Sequence, residues 1–177
     1  MDKRSEIIQG SNSAREIMRE ARRRFKETLK LNPVAAYVAL ANTHCLLIRR
    51  YMSWWQWLSA LSHMACAMGH AKNASLIAAQ TSIGLTADET DVVARIFAKS
   101  PWWLGGDRAV ALSFLYMALY LGKDPGMKPH TRALMLMTLA EIEVDFGDED
   151  NGWKHYQEAV GLCPEIESEC HGFGINL

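Results

Sequence analysis

His63, Cys66 and His70 follow one another at i, i+3 and i+7, a spacing that stacks two imidazoles and a thiol on one side of a helix and so could serve a metal ion. A zinc ion there would need another ligand or a water. The same face runs back through Ser59 to Trp55, as the packed face of an aromatic-rich helix would, and no metal or other cofactor is assigned. Cys163 and the pair Cys170-His171 flank a short acidic segment, without a second Cys/His pair at zinc-finger spacing. Glu141 and Asp145 stand at i and i+4, a separation open to a general acid/base pair and equally that of a solvated acidic stripe. The sequence contains no Gly-x-Ser-x-Gly, no Gly-x-x-x-x-Gly-Lys-Ser/Thr and no His-Glu-x-x-His, so the common nucleophile, phosphate-loop and metalloprotease signatures are missing. The chain reads as non-enzymatic.

Charge is the second source of chemistry. Arg15, Arg19, Arg22, Arg23, Arg24, Lys26 and Lys30 crowd one segment, and on a helical wheel Arg15, Arg19, Arg22 and Lys26 share a stripe that could meet phosphates. Interspersed Glu16, Glu20 and Glu27 offer i, i+4 ion pairs, the isoelectric point is about 6.6, and no stacking aromatics interleave. Nucleic acid is therefore set aside as a partner, and Arg15, Arg19, Arg22, Arg23 and Arg24 are read as a possible assembly patch. Residues 1–50 hold 11 Lys/Arg against 5 Asp/Glu, and residues 132–177 hold 2 against 10, so the ends carry +6 and −8. Such ends are complementary in a head-to-tail contact between copies.

Between the ends, residues 31–87 contain only Arg49, Arg50 and Lys72 as formal charges. A charge-poor middle is core, interface or membrane span; Ser53, Gln56, Ser59, Ser62 and His63 recur in it at a cost that hydrocarbon would not tolerate, so a membrane is set aside too. No apolar leader with a small-residue cleavage site opens the chain, and the expected compartment is the cytoplasm, with the four cysteines reduced.

The elements that must position these residues read as helices almost throughout, since β-branched alternation is missing. The expected set is about seven or eight: Ser13 to Leu31 with a Ser13/Glu16 capping box, Val34 to Arg50, Ser53 to His70, Ala74 to Leu85, a helix opened by the Thr86/Glu89 capping box and ending near Lys99, one after Gly105-Gly106-Asp107 to Leu121, one from Pro129 to Phe146, and one from Glu149 to Leu162. They form one helical domain over residues 13–164, with a flexible start (1–12) and a frayed tail (165–177).

Ala133 to Pro164 resembles one tetratricopeptide repeat, a unit of two antiparallel helices. Leu139 and Ala140, Gly147-Asp148 at the turn, Gly152, Tyr156, Ala159 and Pro164 stand at the family's positions, while Leu136, Glu143 and Gly152 depart from its usual residues. Ala21, Phe25, Thr28, Leu31 and Pro33, then Tyr37, Leu40 and Ala41, resemble the join of two further repeats. Pro101 to Asp107 followed by Ala111, Leu115 and Ala118 is similar to a loop form of proteins that accompany TRAP-type solute transporters. The resemblance implies an all-α, right-handed stack of antiparallel helix pairs, an α-solenoid. It also implies a peptide-binding concave groove lined by Val38, Asn42 and Cys45 from one repeat and Met137, Glu141 and Val144 from another.

The function expected from all this is a non-catalytic scaffold that binds a protein partner, which could be a second copy of the chain. The alternative is an accessory protein holding a small ligand or metal near Trp55, Trp57, His63, Cys66 and His70.

Overall fold

A computed structural model describes residues 3–50, 57–81, 83–121 and 126–166. Ser53, Trp55, Gln56 and Cys170-His171 fall outside those residues. The described residues form seven α-helices and no strand: α1 (Lys3–Thr28), α2 (Pro33–Arg50), α3 (Trp57–Gln80), α4 (Ala87–Lys99), α5 (Arg108–Tyr116), α6 (Pro129–Asp145) and α7 (Glu149–Leu162). They group into two compact units, residues 1–85 and 86–177, joined at the Thr86 cap.

In the first unit α1 packs on α2 and α2 on α3. Helix α1 starts at Lys3 rather than Ser13, so Ser13 lies inside the helix and does not cap it. No proline interrupts residues 3–12, and their one glycine, Gly10, weakens a helix without ending it once α1 is anchored on α2. The chain turns at Asn32, whose Oδ1 accepts from the Ala35 N–H at 3.0 Å, with Pro33 as the first residue of α2. Helix α3 is continuous where two helices, Ser53 to His70 and Ala74 to Leu85, were expected. The intended break, Ala71 to Ala74, holds neither proline nor glycine, and burial of Ala71 and Ala74 on this helix rewards its continuation.

The second unit is built from caps that the sequence spells out. Thr86 Oγ1 accepts from the Glu89 N–H at 3.3 Å while Glu89 Oε2 accepts from the Thr86 N–H at 2.8 Å, the reciprocal capping box that opens α4. After α4, a 3-10 turn (Trp102–Leu104) leads to Gly105, whose φ of +90° is glycine territory, and Asp107 Oδ1 caps α5 through the Ala109 and Val110 N–H groups. Met117–Leu121 continues α5 as a π-helical turn. Pro129 sits in the first turn of α6, and Gly147 at φ +85° joins α6 to α7. Ile166, placed in a frayed tail by the sequence reading, is fully buried.

Helices α6 and α7 lie close because Gly152 faces Ala140 and Val144: a Cβ there would stand 2.7 Å from Val144 Cγ2 and 2.9 Å from the Ala140 carbonyl oxygen. Gly152→Ala should therefore cost about 1–3 kcal/mol through overpacking. Gly161→Ala, on the same helix with open space around its Cβ position, should be neutral or stabilising by up to about 1 kcal/mol. Urea unfolding of the two variants against the parent checks both signs.

Candidate functional sites

The first unit gathers three histidines. His44 of α2 is buried, and its Nδ1 lies 2.7 Å from His63 Nδ1 of α3. Two ring nitrogens at that distance share one proton, so one imidazole is the Nδ1–H donor and the other the acceptor. The His70 ring stacks on His44 with centroids 5.5 Å apart, and Tyr37 and Phe25 close the cluster at 5.9 and 6.4 Å from His70. His70 Nδ1 is buried with no hydrogen-bond partner among the described residues. Of His63, Cys66 and His70, the two imidazoles converge on His44, whereas Cys66 is exposed. Among the described residues no group of three or more His, Cys, Asp or Glu side chains is arranged to hold a metal ion. His44 was not singled out in the sequence because its partners lie on another helix, 19 residues away at the nearest.

All three imidazoles are held neutral. Burial, then the neighbouring His63, His70 and Arg22, lower the His44 pKa to about 4, and burial lowers those of His63 and His70.

Above the cluster, Arg15, Arg19, Arg22, Arg23 and Lys26 of α1, with Ala14 and Met18, line an open cleft of about 570 Å³ whose other wall is His63. The five arginines of the proposed patch are all exposed but not equivalent. Arg23 pairs with Glu20 and Glu27 at 2.7 and 2.9 Å, and Arg24 with Glu20 at 2.7 Å. Arg23 and then Arg24 hold the Glu20 carboxyl down to about 2.

The second unit contains a chain of polar groups on a buried carboxylate. Glu143 of α6, only 4% exposed, accepts from Tyr116 Oη at 2.7 Å through Oε1 and meets His155 Nδ1 at 2.6 Å through Oε2. Tyr120 Oη, on the π turn, lies 2.8 Å from His155 Nε2. With Nδ1–H donating to the carboxylate, Nε2 is left to accept the Tyr120 proton, an acid–imidazole–hydroxyl order that also occurs in nucleophilic catalysis. Here it works in the opposite sense: the Glu143 hydrogen bond pushes the Tyr116 pKa up to about 12, and burial raises that of Tyr120, so both phenols stay protonated donors. The arrangement is a polar rivet holding the π turn to α6 and α7. Glu143 appeared in the sequence only as a departure from a repeat pattern; Tyr116 and Tyr120, at i and i+4, were the signal that could have found it.

A second buried carboxylate, Asp91 of α4, is 3% exposed and pairs with Arg95, while its Oδ1 lacks a partner among the described residues; burial raises its pKa. Nearby contacts on α6 are Thr131 Oγ1 to Asp88 Oδ1 at 2.5 Å and His130 Nδ1 to Cys163 Sγ at 3.7 Å.

The groove residues implied by the repeat resemblance are spread over different environments. Val38 and Met137 are buried, Asn42 is exposed and Cys45 half-buried. Glu141 is ion-paired with Lys99, and Val144 faces Gly152. No helix among the described residues is long and apolar enough to cross a membrane. Comparison with protein-family models, curated proteins and solved structures finds no match for this chain. The fold by itself defines an all-α protein of packed helices.

Two outcomes are expected from the titrating groups. The unfolded chain takes up the His44 proton near pH 6.5 and the folded chain only near 4, so the stability is full above about 6.5 and is lost as pH falls. Lowering the pH from 7 to 4 should remove about 3 kcal/mol through His44, and denaturant unfolding of His44→Gln across that range should show a shallower loss. Tyr116→Phe removes a hydrogen bond to a buried carboxylate and should cost about 1.5–3 kcal/mol, read as a lowered Tm.

Proposed function

We propose that this chain is a non-catalytic scaffold, a tetratricopeptide-like, right-handed stack of helix pairs acting in the cytoplasm, whose second unit binds a basic helical segment of a partner. The α6–α7 pair supports the architectural part: its small residues Ala140, Gly152 and Ala159 are buried, and the left-handed glycine at 147 stands at the inter-helix turn of a unit running from Ala133 to Pro164. The observation that carries the binding part is a set of large aromatic side chains left in solvent at one end of the second unit. Lys99 pairs with Glu141, and Arg108 with Asp145 at 3.0 Å, which brings the α4–α5 loop beside the α6–α7 turn. At that end Trp102 is 84% exposed, Trp103 55%, Phe146 60% and Trp153 53%. Exposed tryptophans at this density are costly in water and are the side chains that anchor protein interfaces.

The same end is acidic, because Asp148, Glu149 and Asp150 open α7. Aromatic faces among carboxylates suit arginine, through cation–π contact and ion pairing together. A segment of that chemistry exists within this chain: α1, with Arg22, Arg23 and Arg24 exposed. Charge complementarity thus favours a second copy as the partner, in a head-to-tail contact.

Light scattering on a sizing column at low and high salt tests the reading. The expected result is an oligomer that weakens with salt, and that is dispersed by Trp102→Ala/Trp103→Ala and by reversal of Arg22, Arg23 and Arg24 to Glu. A monomer at both salts, or an assembly that neither variant disturbs, would overturn it.

A further inference from the structure

The cations of α1 between Arg15 and Lys26 differ in their pairing. Arg23 and Arg24 are engaged by Glu20 and Glu27. Arg15, Arg19, Arg22 and Lys26, at successive steps of four, three and four residues, share one face of the helix, and none of them has a carboxylate partner among the described residues. Like charges at i, i+4 repel one another, so stability does not account for a bare stripe of this kind. The stripe also forms one wall of the open cleft of about 570 Å³, which Arg23 and, from α3, His63 line as well. That volume is in the range of small-molecule sites, roughly 300–1,000 Å³.

We propose that this cleft binds a small oligophosphate, a ligand carrying two or three phosphate groups. The chemistry of the wall selects it. Guanidinium groups present planar donor forks that match phosphate oxygens in pairs, and successive cations stand about 5–6 Å apart, so one phosphate reaches two of them and several phosphates are needed to engage all four. An extended peptide would find no main-chain partners here, because the backbone on the stripe side is helical and already hydrogen-bonded. Among the described residues, the cleft lining holds none of the stacking aromatics that single-stranded nucleic acid uses. The same phosphates could arrive free or on a lipid headgroup.

The assignment does not depend on self-association, and the full-length Trp102→Ala/Trp103→Ala variant serves as the background so that failure of one reading is not mistaken for failure of the other. Calorimetric titration with inorganic tripolyphosphate is expected to show binding that weakens steeply with salt. Arg19→Gln and Arg22→Gln should each lower the affinity about tenfold, whereas Arg24→Gln, already paired with Glu20, should leave it unchanged. Circular dichroism of each variant verifies that α1 is intact; these side chains are exposed and the substitutions remove no packing. Flotation with vesicles containing phosphatidylinositol bisphosphate separates the sources. Vesicle binding displaced by tripolyphosphate supports a lipid-borne ligand, and tripolyphosphate binding without vesicle binding supports a free one. The proposal is overturned if tripolyphosphate does not bind, if citrate binds equally well, or if Arg24→Gln costs as much as Arg22→Gln. A single-stranded oligonucleotide that binds more tightly with length and resists displacement by tripolyphosphate would replace it with a nucleic-acid site.

Discussion

Helices can approach closely only where the residues between them are small, and both units of this chain depend on that constraint. In the first, Ala36, Ala41, Ala67, Ala71 and Ala74 on α2 and α3 are at most 1% exposed; in the second, Ala133, Ala140 and Ala159 are equally buried on α6 and α7, with Gly152 closing the contact. Alanine supplies little apolar area by itself, but it lets the backbones come near enough for longer side chains beside it to interlock. That proximity also places polar groups from different helices within hydrogen-bond reach. His44 meets His63, and Glu143 meets His155, because each pair sits in a seam where backbones run close.

The two polar clusters show what burial does to titratable groups with different partners. The three histidines have mainly one another, and none supplies a negative charge, so the protein keeps them neutral and one proton serves the His44–His63 contact. Glu143 has a phenol and an imidazole as donors, and its charge is distributed over both of its oxygens. The first arrangement is sensitive to acid; the second ties a short, irregular turn to two helices. Neither places an activated nucleophile in a cleft.

Much of the helical outline was legible because it is written in local chemistry. Thr86 and Glu89 lie three residues apart and can be read as a capping box from types alone, and so can Pro129 in a first turn and Gly147 at a turn. The sequence misled where the decisive contact was distant. Ser13 resembles a cap, yet α1 runs through it, and Ala71 to Ala74 resembled a boundary although their burial extends α3. The histidine cluster was half visible: His63 and His70 share a helical face, but Cys66 turns outward and the third member comes from α2. The stripe on α1 was visible as spacing; which of its charges are neutralised depends on the rotamers of Glu20 and Glu27, and spacing does not encode those.

The π turn at Met117–Leu121 holds one residue more than an α-helical turn would. Removing one residue there would restore the regular α-helical turn and swing Tyr120 by about 100° around the axis. Tyr120 would leave His155, while Tyr116, before the turn, would keep its place on Glu143. The segment thus acts as a phase adjuster, setting the angular position of Tyr120 independently of that of Tyr116. Changes in the length of this chain should be tolerated far less at 117–121 than their position near the end of a helix would suggest.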